Sequence, residues 1–173
     1  FVSKVYFPRL IIPISIVLFD LIAFAVQMGV FLLVYFYFIS AGFVGPSIHL
    51  HPGLLLILPV LILQTMMAAL GFGLWITSLT IKYRDFQYLI PLLIQLWMFA
   101  TPVIYPMAML SKKWKMIMSL NPMAGIVEAY RYVFFSTQQF HLESFLISSG
   151  VTLIVFLGGV LMFNKVERTM VDT

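Results

Sequence analysis

KYRDFQYLIPLLIQLWMFATPVIYP, residues 82–106, packs Lys82, Arg84 and Asp85 into four positions and then carries no further charge before Lys112. The run on its other side, 54–81, has no charged residue at all. Two apolar runs of this length, joined by a short charged knot, read as a helical hairpin in a bilayer with the knot at its surface. The rest of the chain agrees with that reading. Of its 173 residues 62% are hydrophobic and only 9% charged, and the mean hydropathy is +1.07, which excludes an ordinary soluble core. With no cysteine there is no disulfide framework, thiolate nucleophile or cysteine metal site. The net charge of +4 points to loop orientation and anionic headgroups rather than to nucleic acid. The sequence opens on Phe1 with no basic-then-apolar layout of a cleavable signal, so a piece of a longer protein is expected.

Four spans are predicted, at 14–43, 54–81, 86–105 and 145–163, giving an all-α, polytopic helical membrane protein organised as one domain over residues 1–173. Lys4 and Arg9 precede the first span, Lys82 and Arg84 follow the second, and Lys165 and Arg168 follow the fourth, whereas Gly42 to Gly53 holds no Lys or Arg. Because basic residues are retained in the cytoplasm, this alternation places both ends and the knot inside. Lys112, Lys113, Lys115 and Arg131 then fall outside, the one cluster that opposes the rule.

Those four residues lie in the oddest segment, 106–143, too long for a turn and too apolar for a solvated loop. Within it, Asn121 is placed as a helix N-cap, and Pro122 as a first helical residue whose missing N–H has no partner to lose. An apolar helix too short to span reads as re-entrant at the outer face. Pro91, Pro102 and Pro106 give the preceding helix places to bend or end. Together they predict an outer gate.

Single residues carry less. Asp20 sits inside the first span, where an ionisable group is a functional candidate, although a position near a helix start and a bond to a neighbouring helix explain it as well. Gln27, Gln64 and Gln95 read first as interhelical hydrogen bonders, and Ala68, Ala69, Gly71 and Gly73 as close-packing positions. Glu128 and Arg131, spaced i, i+3, are expected to pair as a clamp on the outer segment. His49 and His51 have no carboxylate or Cys nearby, and His141 stands alone, so no metal site is expected. Trp97, Phe99, Tyr105, Trp114, Tyr130 and Tyr132 suit an interfacial aromatic belt or, alternatively, stacking surfaces for sugars. There is no G-x-x-x-x-G-K-[ST] loop, so ATP phosphates are not cradled here, and no compelling catalytic constellation.

KVYFPRLIIP, the 82–106 stretch, LNPMAGIVEAYR and the tail FNKVERTMVDT together resemble the membrane subunit of type-2 ABC polysaccharide exporters, closest to O-antigen (lipopolysaccharide) export permeases, with teichoic-acid and capsule exporters as siblings. The resemblance implies a six-helix subunit in a bacterial inner membrane, paired with a second copy of itself and with a separate ATPase that binds ATP and Mg, so the chain itself needs no cofactor. Four spans here imply that an interface helix and two spans precede Phe1. By position, Lys4, Val5, Tyr6, Phe7, Pro8 and Arg9, within residues 1–13, resemble the cytoplasmic coupling helix that docks on the ATPase. Lys82, Tyr83, Arg84 and Asp85 match the cytoplasmic turn, and Asn121, Pro122, Glu128 and Arg131 the outer gate. Trp97, Phe99 and Tyr105 are the candidates for the substrate path of a lipid-linked polysaccharide. Two other classes stand beside this one. A membrane enzyme acting on polyprenyl-linked sugars would rest on Glu128, Glu143 and His141, and a gradient-driven carrier would rest on Asp20.

Overall fold

A computed structural model describes residues 11–43, 56–103, 105–135 and 141–171. The expected coupling residues 4–9 and the histidines 49 and 51 lie outside them. The elements are α1 (Ile11–Ser40), α2 (Leu58–Lys82), α3 (Phe86–Ala100), a 3-10 turn (Met107–Met109), α4 (Lys112–Ser119), α5 (Pro122–Phe135) and α6 (Leu142–Val171). Among the described residues, three helices are long and apolar enough to cross a bilayer: Ile11–Ser40, Leu58–Lys82 and Leu142–Glu167. The chain is a multi-pass, all-helical membrane protein.

The third expected span departs from its predicted bounds. Helix α3 stops at Ala100 rather than Tyr105, and its 15 residues reach about 22 Å at 1.5 Å per residue, short of the roughly 30 Å of a hydrocarbon core. The cause is local. Thr101 precedes Pro102, whose ring drives the preceding residue out of the helical region, and Thr101 is extended at φ −95°, ψ 135°.

The centre of the fold is the α2–α6 pair. Leu61, Gln64, Ala68, Gly71, Leu74 and Ser78 form the buried stripe of α2. On α6 the buried residues include Ser148, Thr152, Gly159 and Phe163. Small residues let the backbones approach, which is how helices associate where lipid is as apolar as leucine. A Cβ on Gly71 would stand 2.9 Å from the backbone of Phe156, and one on Gly159 would stand 2.6 Å from the Gly71 carbonyl oxygen. Of the four small residues singled out in α2, Ala68 and Gly71 occupy this contact, while Ala69 and Gly73 are exposed. Two hydrogen bonds cross the pair: Gln64 Nε2 donates to Ser149 Oγ at 3.0 Å and Trp75 Nε1 to the Val155 carbonyl at 3.0 Å. Buried Ser78 and Thr152 donate to the carbonyls four residues before them, so no hydroxyl there needs a distant partner.

Helix α1 is loosely held, with Tyr35 its one buried residue. It ends in a complete Schellman motif. Gly42 N–H donates to Ile39, Phe43 N–H to Phe38, Gly42 sits at φ 72°, and the Phe38 and Phe43 rings meet at 5.9 Å.

Candidate functional site

At the end of the bundle where α1 finishes and α2 and α6 begin, α5 is wedged between all three. Leu61 of α2 packs on Ala129 and Val133 of α5, with Phe145 of α6 against the same cluster. Near the start of α5, a Cβ on Gly125 would stand 2.5 Å from the Ser148 Cβ, and Ser148 Oγ donates to the Pro122 carbonyl at 2.6 Å. Near its end, Tyr35 of α1 donates its hydroxyl to the Phe134 carbonyl at 2.6 Å, inside an aromatic group in which Phe31 and Phe134 meet edge-on at 4.9 Å. At 14 residues, α5 cannot span. Its contacts with α1 from Phe24 to Tyr35 and with the first turns of α2 and α6 make it a helix tucked into one end of the bundle.

The irregular chain between α3 and α5 is held by two side chains. Backbone that leaves a helix near hydrocarbon depth must find donors within the protein. Asn121 caps α5, its Oδ1 accepting from the Met123 N–H at 3.0 Å, while its Nδ2 donates to Thr101 Oγ1 at 2.9 Å. One amide therefore starts α5 and ties off α3. Arg131 donates to the carbonyl of Tyr105 at 2.9 Å and to that of Val103. The expected Glu128–Arg131 clamp is thus replaced: the arginine fork turns to backbone carbonyls that have lost their helical donors, a planar multi-donor task suited to guanidinium.

Glu128 turns instead to a residue that looked isolated in the sequence. It is only 7% exposed, and its Oε1 lies 3.7 Å from Nδ1 of His141, at the head of α6. Burial pushes the Glu128 carboxyl above its ordinary range, opposed by the positive charges of His141, Lys115 and Arg131. No spacing rule could have found this pair, because the two residues belong to different elements.

The remaining candidates are spread over the molecule. Lys82 closes α2 with its ammonium 5.3 Å from the Tyr83 ring, and Tyr83, Arg84 and Asp85 form an exposed turn at the opposite end of the bundle from α5. Trp97 and Phe99 are 43% and 56% exposed, with Trp97 edge-on to Phe72 at 5.0 Å. Tyr105 contributes its carbonyl to Arg131. Asp20 is exposed beside Thr65 and Met66 in the groove between α1 and α2. Gln95 is exposed on α3, and Gln27 lines an apolar hollow of about 320 Å³ between α1 and α5, with Phe24, Phe31, Tyr130 and Phe134.

Comparison with known proteins covers most of the chain. Residues 1–135 match the family described as ABC-2 type transporter. An O-antigen export system permease protein RfbA of Myxococcus xanthus is 24% identical over 165 residues, 94% of this chain and 60% of the relative. Two permeases of the same name from Klebsiella pneumoniae are 27% and 25% identical, each over 96% of this chain and 61% of their own length. The chain therefore spans about three fifths of the curated relatives it matches.

Proposed function

This chain belongs to the ABC-2 type transporter family, and from that premise we propose that it is the permease part of an ATP-driven exporter moving a lipid-linked, O-antigen-like polysaccharide across a bacterial inner membrane. Support for the substrate comes from the relatives, which carry the name of O-antigen export permease and align along nearly the whole chain. The observation that carries the mechanism is the short α3. At 15 residues it is too short for a full crossing, and the chain that follows it is fastened to α5 through Asn121 and Arg131. A wedge held by side chains rather than by a continuous helix can be moved without unwinding a span.

In this reading ATP is bound and hydrolysed by a separate ATPase, with Mg, and the permease acts as a homodimer. Lys4 to Arg9 meet the ATPase at the inner face and the 82–85 turn lies on that side. Closure of the ATPase pulls on α1 through the residues that precede it. The outer end of α1 is bonded to α5 through Tyr35, so the motion reaches the gate formed by Asn121, Pro122, Glu128 and Arg131. Trp97, Phe99 and Tyr105 offer aromatic surface along the path, on which a sugar chain can stack and slide.

The test is Arg9→Glu in the full-length permease, assembled with its ATPase in proteoliposomes and supplied with lipid-linked glycan. Export is expected to fall at least about tenfold, the consequence of losing roughly 1.4 kcal/mol of docking energy, while ATP hydrolysis continues. Wild-type export in that variant would remove the coupling role from this segment.

A further inference from the structure

The gate helix carries an acid to which the export reading gives a place but no chemistry. Glu128 lies on α5, outside the spanning segments, and is 7% exposed. Its carboxylate stands 3.7 Å from His141 Nδ1, and that nitrogen is itself buried with no hydrogen-bond partner. A buried acid and an unsatisfied imidazole nitrogen, just beyond hydrogen-bond reach, are each costly as they stand. A proton on Nδ1 gives the carboxylate a charged donor, and an approach of less than an ångström then makes a charge-assisted hydrogen bond that satisfies both groups.

We infer that Glu128 and His141 together form a binding site for one exchangeable proton, and that this proton fastens α5 to the head of α6. The other charges acting on Glu128 come from Lys115 of α4 and Arg131 of α5 itself. Lys115 is partly exposed, and Arg131 is engaged by the Val103 and Tyr105 carbonyls. Neither reaches Glu128 in an ion pair within 4 Å among the described residues. From α2 the neighbours of this stretch of α5 are Leu61 and Thr65, and from α1 they are Phe24, Gln27 and Phe31, none of them charged. Glu143, two positions beyond His141, is exposed on α6. The proton comes from bulk water and returns to it, with no other bond made or broken.

The sign follows from burial. Glu128 is raised above the ordinary value of 4.5, so its contribution to stability is fully present below that value and is lost as pH rises through the folded value. While the neighbouring imidazole is protonated, its charge offsets the loss. Without that charge the buried carboxylate is left with the more distant cations of Lys115 and Arg131, and the fastening loosens.

The inference does not rest on the export reading, and its test needs neither ATPase nor glycan. The full-length protein in lipid nanodiscs is followed by infrared spectroscopy and thermal unfolding from about pH 5 to about pH 9. A protonated-carboxyl band that Glu128→Gln abolishes is expected to persist to higher pH in His141→Gln, because the imidazolium that lowers the acid is gone. The unfolding midpoint of the wild type is expected to fall as pH rises, and in Glu128→Gln that dependence is lost. A band whose pH midpoint is unmoved by His141→Gln overturns the shared site, as do equal pH slopes in the wild type and Glu128→Gln.

Discussion

Arg131 holds together a piece of backbone that no regular element holds. Its two bonds run to the carbonyls of Val103 and Tyr105, which a lysine ammonium, a compact point charge on a flexible stem, cannot bridge in the same plane. Arg131→Lys is therefore expected to lose one bond of the pair, lowering stability by about 1.5–3 kcal/mol as read by the unfolding midpoint of the full-length protein. An unchanged midpoint would show that the turn after α3 finds its donors elsewhere. The arginine itself stood out in the sequence as a cation on an apolar helix, yet its partners did not. Carbonyls are present at every position, and only the end of α3 left these two without donors.

The α2–α6 pair shows, at the scale of elements, what close packing demands. Two glycines of α2 lie two positions apart and invite the same reading from sequence, but the helix turns them to opposite fates. A Cβ at Gly71 meets the backbone of Phe156 at 2.9 Å, while one at Gly73 meets nothing within 4 Å. Gly71→Ala is expected to push the helices apart and cost about 1–3 kcal/mol. Gly73→Ala is expected to be neutral or to stabilise by up to about 1 kcal/mol through helix propensity. Urea or thermal unfolding of the two variants side by side decides it, and equal effects would remove the close crossing from the α2–α6 contact. Asn121 illustrates the opposite, legible case. Its capping of α5 followed from residue type and from the proline after it, because an N-cap is satisfied within three residues of itself.

For the whole molecule, the informative feature is how little of α3 the chain covers. Not one of its residues is buried, although Gln87 and Gln95 lie on it. An amide facing hydrocarbon is disfavoured, and a second copy of the chain offers it a partner. In the proposed homodimer, Gln95→Cys is expected to cross-link to its counterpart under mild oxidation in membranes. Leu157→Cys, on an exposed face of α6, is expected to stay monomeric. Equal cross-linking at the two positions would take α3 out of the interface between copies.

Sequence alone determined what depends on short range and on solvent: that the chain lives in a bilayer, that helices carry it across, that the 82–85 knot turns at a surface, and that a short proline-led helix follows the third apolar run. Length, hydropathy and capping chemistry are properties of contiguous residues, so each could be read in place. Tertiary structure decided which polar groups meet. It moved Glu128 from Arg131 to His141, gave Arg131 two carbonyls, chose Gly71 over Gly73 for the crossing, and ended α3 at Ala100. Those outcomes depend on the relative rotation and depth of helices, and rotation about an axis surrounded by apolar side chains leaves almost no mark on a sequence that is greasy on every face.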